Sequence, residues 1–220
     1  MALQIQGNGG TVAEVDGSTY RALRISPRPL DVAALGHYRV AVTIGLVATQ
    51  AANGTLFSFR WGAASNLAVI TKLRLSIMQT AAATATIWPN FSVFQARSFT
   101  VSDSAGTAVT LTGNNMKKRT SMGTTTVTDI RFSAAAAGLT AGTRTLDANP
   151  ILVMPTTQII TTPNPNMVSV ELDVGVGDGN HPVIMAQNEG VIVQGPSTAF
   201  GAAGTANLIV DMSWAEVAAY

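Results

Sequence analysis

The sequence predicts an all-β protein, an antiparallel β-sandwich of jelly-roll-like type. Two observations carry this. In the stretch 207–217, Leu208, Val210, Met212 and Trp214 lie on one side with Asp211 and Ser213 on the other, the period of two that gives a strand one dry face. The same period recurs in Tyr38-Val40-Val42-Ile44-Leu46, in Val69-Thr71-Leu73-Leu75-Ile77 and in Val168-Val170-Leu172-Val174, where Ser169, Glu171 and Asp173 fill the opposite face. Helical periodicity is weak throughout, with room for single turns at Asp31–Leu35 and Ala134–Ala137.

Along the chain, residues 1–29 are punctuated by Gly7, Gly9, Gly10, Gly17, Pro27 and Pro29, with strand-like pieces at Thr11–Val15 and Ser18–Ile25. Glycine and proline weaken interior strands and are tolerated at edges, so this segment reads as an extended N-terminal arm or edge element. Residues 30–220 form one sandwich domain in this reading, since all-β domains commonly reach about 200–250 residues. Long strands run from His37 to Thr112, broken at Asn53-Gly54, Gly62–Asn66, Pro89-Asn90 and Ser102–Gly106. Beyond the polar loop Gly113–Arg119, strands are expected near Val127–Phe132, Ile151–Met154, Met167–Val176, Val183–Ala186, Gly190–Gln194 and Leu208–Val217.

Composition bears on function. Of the 220 residues, 47% are hydrophobic and 11% charged, less than half of the roughly 25% charge usual in soluble domains. A surface this poor in charge points to coverage by other subunits. A net charge of +1 supplies no global field for nucleic acid or an anionic membrane. The chain has no cysteine, which removes disulfides, thiolate nucleophiles and cysteine-type zinc sites. No apolar run approaches the ~18–20 residues of a membrane span, and the first residues lack a secretory signal pattern, so synthesis in the cytoplasm is expected.

No catalytic constellation stands out, and the expectation is a non-enzyme without cofactor or metal. His37 and His181 lie far apart without metal-ligand spacing. Asp173, Asp178 and Asn180 offer oxygen ligands but lack the EF-hand pattern. The Gly175-x-Gly177-x-Gly179 run has no βαβ context, and no serine occupies a G-x-S-x-G elbow. Trp61 and Trp214 continue apolar faces and read as core; Trp88, before Pro89, is the one tryptophan at a strand end.

Candidate interaction residues are of two kinds. In the arm, Leu3 and Ile5 are apolar, and Arg21, Arg24 and Arg28, with Arg39 beyond them, suit charge-assisted docking on carboxylates or carbonyls. Lys117, Lys118 and Arg119 form the densest charge in the chain. That run suits phosphate contacts or a carboxylate of a neighbouring subunit; no interleaved aromatic residue favours nucleic acid.

Asn188-Glu189-Gly190-Val191-Ile192-Val193-Gln194, a following Gly/Ala/Ser-rich loop, and the terminal strand with Trp214-Ala215-Glu216 resemble the closing hairpin of small cysteine-free β-sandwich proteins of tailed-bacteriophage virions, of the capsid decoration and fibre type. The segments 2–10 and 138–147 are similar in the same way. The resemblance implies a non-enzymatic virion component present in many copies, a homo-oligomer with the trimer favoured, attached to other virion proteins such as a major capsid protein. The alternatives are a tail or fibre module that binds a receptor or glycan through Trp88 and the loop Phe200–Asn207, and, third, a hydrolase using Asp178 and His181.

Overall fold

A computed structural model of the chain describes residues 15–16, 22–23, 35–47, 50–82, 89–133, 136–156, 168–172, 182–199 and 205–218. The chain divides into two units, Met1–Asp31 and Val32–Tyr220. In the first, strands β1 (Val15–Asp16) and β2 (Ala22–Leu23) pair antiparallel, Val15 opposite Leu23. Asp31–Leu35 and Ala134–Ala137, where single helical turns are conceivable from sequence, fall largely outside the described residues; the described residues contain only strands, turns and loops.

The second unit is an antiparallel sandwich. One sheet contains β3 (Gly36–Leu46), β5 (Leu67–Ala81), β11 (Val168–Glu171), β12 (Ile184–Met185) and β14 (Thr205–Val217). Their order is β11-β5-β14-β3, with β12 also on β5. The other contains β4 (Thr55–Trp61), β6 (Asn90–Arg97), β7 (Thr107–Ala108), β8 (Asp129–Phe132), β9 (Thr145–Leu146), β10 (Leu152–Pro155) and β13 (Glu189–Gln194). Its order is β10-β6-β13-β4-β8-β7, with β9 also on β6. Every strand pair described is antiparallel.

The core is built by the alternation read from the sequence. Tyr38, Val40, Val42, Ile44 and Leu46 of β3 and Leu208, Val210, Met212 and Trp214 of β14 are all buried in one cluster with Phe57, Phe59 and Trp61 of β4 and Val191 and Val193 of β13. Burying such side chains is worth about 1.5–3 kcal/mol each, so these strands carry the sandwich. Trp61 and Trp214 are core, as expected. Trp61 Nε1 donates to the Asn66 carbonyl at 3.0 Å, which satisfies its polar handle. Asn53 turns with φ of 53° between β3 and β4, which lie in different sheets.

One strand departs from simple alternation. Met212 pairs with Leu73 and Ser213 with Lys72, but Trp214 pairs with Ile70. Thr71 is therefore the extra residue of a β-bulge, which reverses the faces on either side of it. Leu73, Leu75 and Ile77 enter the main core together with Ile70, while Val69 joins Ala215 and Val217 in a separate cluster on the opposite face. The expectation that Val69 and Thr71 share a face with Leu73 is corrected: alternation holds within each half of β5, and the bulge separates them.

Loops cover the outer face of the seven-stranded sheet. Ala96, Ile192 and Phe99 are buried there with Leu146 against them. Arg60 fixes the covering loop by donating to the carbonyls of Phe99 at 2.7 Å and Thr100 at 2.6 Å. Within the same layer Arg144 pairs with Asp103, both buried, and donates to Thr55 Oγ1 at 2.9 Å.

Candidate functional site: a cationic groove at the edge of the five-stranded sheet

The outer face of the five-stranded sheet is covered where Val69, Ala215 and Val217 are buried and is exposed along β3 at Arg39, Ala41, Thr43 and Gly45, and strand register decides what it displays. Reading across from β3, one row places Ala41, Asp211, Arg74 and Glu171 side by side, and the next places Arg39, Ser213 and Lys72. Cations thus gather from strands far apart in sequence. Asp211 accepts from Lys72 Nζ at 2.5 Å and lies 3.8 Å from Arg74.

The loop after Thr112 adds more cations. Tyr38 and Lys117 form an isolated antiparallel bridge; Arg39 N–H donates to the Met116 carbonyl at 2.9 Å and Lys118 N–H to the His37 carbonyl at 3.1 Å. The loop therefore docks as a short extra strand on the edge of β3. Its docking brings Lys118 Nζ within 3.2 Å of His37 Nε2, which is also 3.0 Å from Thr71 Oγ1. An ammonium has only hydrogens to give, so His37 Nε2 is the acceptor and the neutral ring carries its proton on Nδ1. Met116, buried, closes one wall of a groove of about 360 Å³ lined also by Arg39, Val40, Ala41, Asn115 and Asp211.

The electrostatics follow from this crowding. Burial first, then repulsion from Arg39 and Lys72, pushes the Lys118 ammonium below its ordinary pKa, and Asp211 pulls it the other way. His37 is likewise lowered, by burial and then by Lys118. Among the described residues, the side chains of Arg39 and Lys117 have no hydrogen-bond or ion-pair partner, and the partner of Lys118 is a neutral imidazole. The groove presents an unneutralised positive field toward solvent, which suits an anionic group such as a carboxylate or phosphate.

Of the interaction residues expected from sequence, Lys118 stands beside this groove, and Lys117 and Arg119 flank it in the same loop. Leu3, Ile5, Arg21, Arg24 and Arg28 lie outside the described residues, as do Trp88, His181, Asp173, Asp178 and Asn180. Arg39, grouped by sequence with the arm arginines, belongs to β3 and to the groove. Sequence reading missed His37, Thr71, Lys72, Arg74 and Asp211 as its neighbours. The available signal was parity: Arg39, Lys72 and Asp211 each occupy an outward position of an amphipathic strand. Among the described residues, no group of three or more His, Cys, Asp or Glu side chains is arranged to hold a metal ion.

Fold and groove together define the class: an antiparallel β-sandwich with a cationic edge. No family model, known protein or solved structure matches the chain.

Proposed function

We propose that this protein is a non-enzymatic structural component of a bacteriophage particle, a homo-oligomer that attaches to and cements neighbouring capsid proteins. The observation that carries the proposal is the exposed face beside the groove. Ala41, Thr43 and Gly45 of β3 are exposed and Ile209 of β14 half-exposed, and the row that Thr43 begins continues through Ile209 and the buried Ser76 to the exposed Ser169. These side chains are uncharged and, Ile209 apart, small, and they stand on a rigid sheet. They form a flat surface that packs against another folded surface at little cost in side-chain entropy or charge desolvation. The low overall charge of 11% points the same way, and the sequence resemblance to virion sandwich proteins supplies the setting.

In this reading the sandwich core provides stiffness, the flat face meets a sister subunit or capsid protein, and the groove orients the contact electrostatically. The test is light scattering after size exclusion, followed by co-sedimentation of the full chain with capsid shells of the particle whose genes flank it. A symmetric oligomer, a trimer in the first instance, that sediments with shells supports the proposal. A protein monomeric at micromolar concentration that stays in the supernatant overturns it. Ala41→Lys or Gly45→Lys, which put charge on the flat face without entering the core, should weaken assembly while leaving the melting temperature unchanged.

A further inference from the structure

We propose that the open edge of β3 at Ala41–Gly45, with the cationic groove at its Arg39 end, accepts an extended acidic segment of a neighbouring protein as an added β-strand.

β3 is the last strand of its sheet. The Arg39 N–H and the His37 carbonyl point away from β14, since they bond the loop residues Met116 and Lys118. Strand alternation sends the N–H and C=O groups of Ala41, Thr43 and Gly45 to that same side. The loop leaves the edge at Met116, and among the described residues nothing pairs with the backbone of these three. All three are exposed.

Natural edges are ordinarily guarded by charge, proline, a bulge or shortness. This strand runs for 11 residues and has neither proline nor charge between Arg39 and its end at Leu46. Gly45 adds a separate indication. A Cβ built there meets nothing within 4 Å, so internal packing does not call for glycine, and a strand-interior glycine marks a place where another backbone can approach closely.

The charge identifies the occupant. Asp211 is engaged by Lys72 and Arg74, while Arg39, Lys117 and Lys118 have no carboxylate among the described residues. The groove opens beside Ala41, where the loop leaves the strand. A strand paired at Ala41–Gly45 therefore runs on toward Arg39, where its acidic side chains meet unpaired cations. A peptide is favoured over nucleic acid because only a peptide backbone returns the alternating donors and acceptors of a strand edge, and among the described residues no aromatic ring lines the groove to stack a base. The inference deepens the assembly reading and rests on it in taking the partner to be protein.

The experiment is an amide NMR titration of the full chain with a short synthetic peptide alternating glutamate and valine, its glutamine counterpart, and oligothymidylate. The glutamate peptide should shift the Ala41, Thr43 and Gly45 amides and slow their hydrogen exchange. The glutamine peptide, and the Arg39→Glu variant with the glutamate peptide, should bind about tenfold more weakly, the worth of a lost charge-assisted bond. Thr43→Pro, which removes an outward N–H that β14 does not use, should abolish binding; Ala41→Pro, which removes the neighbouring outward N–H, serves the same purpose should the Thr43 variant fail to fold. The inference is overturned by oligothymidylate binding in place of peptide, by equal binding of both peptides, or by protection of these three amides in the free protein, the sign of an edge already occupied by its own chain or a second copy. Absence of peptide binding in a protein that still oligomerises and sediments with shells overturns this site alone and leaves the assembly reading standing.

Discussion

Phe59 of one sheet and Trp214 of the other meet edge to face, ring centroids 5.2 Å apart and planes inclined at 68°. Tyr38, of the same sheet as Trp214, stacks on that indole at 5.7 Å. Trp214 is thus the shared partner of both layers, and Trp214→Ala should destabilise the protein by about 3–5 kcal/mol, the usual cost of deleting a large buried aromatic. Thermal melting checks it; a variant that melts within a degree or two of the wild type contradicts the placement.

Arg144 and Asp103 are paired where almost no water reaches, with 5% and 0% of their side chains exposed. The Asp103 carboxylate also accepts from Gly142 N–H at 2.8 Å, and the guanidinium lies 5.4 Å from the centre of the Phe99 ring. Removing one partner strands the other charge, so Arg144→Met and Asp103→Ala should each cost about 3–5 kcal/mol. The double variant should be less destabilised than the sum of the two, which denaturant unfolding of all four proteins can read.

His37 gives a pH dependence of definite sign. Its folded pKa lies below the ordinary value of about 6.5, so the unfolded chain takes up the proton first. The stability it contributes is complete above about pH 6.5 and is lost as pH falls through the lowered folded value. Between pH 7.5 and 5.5 the wild type should lose more in melting temperature than His37→Gln, and equal losses in the two proteins would contradict the assignment. Lys118 ammonium and Thr71 hydroxyl face the imidazole, with Lys72 and Asp211 beyond them.

Gly190 sits where β13 crosses under Phe99. A Cβ there would press into the Phe59 carbonyl oxygen and lie 2.7 Å from Phe99 Cδ1. Gly190→Ala should cost about 1–3 kcal/mol by overpacking and loosen the loop that Arg60 holds. Faster proteolysis near Phe99 together with a lower melting temperature would show both effects.

The Gly190–Gln194 and Leu208–Val217 segments were legible as strands because the signal is local. Side chains alternate across a strand whatever its neighbours, so Leu208, Val210, Met212 and Trp214 declare their dry face by spacing alone. The sequence by itself thus determined the all-β class, most long strands and the burial of Trp61 and Trp214. Strand register is a different kind of quantity: Lys72 and Asp211 are 139 residues apart, and no local period states that they meet. The bulge at Thr71 that moves Val69 off the face of Leu73, the docking of Met116–Lys118 on β3, and the gathering of Arg39, Lys72 and Lys118 around one groove were decided only by tertiary structure. They depend on how distant strands align, which pairing and packing settle together.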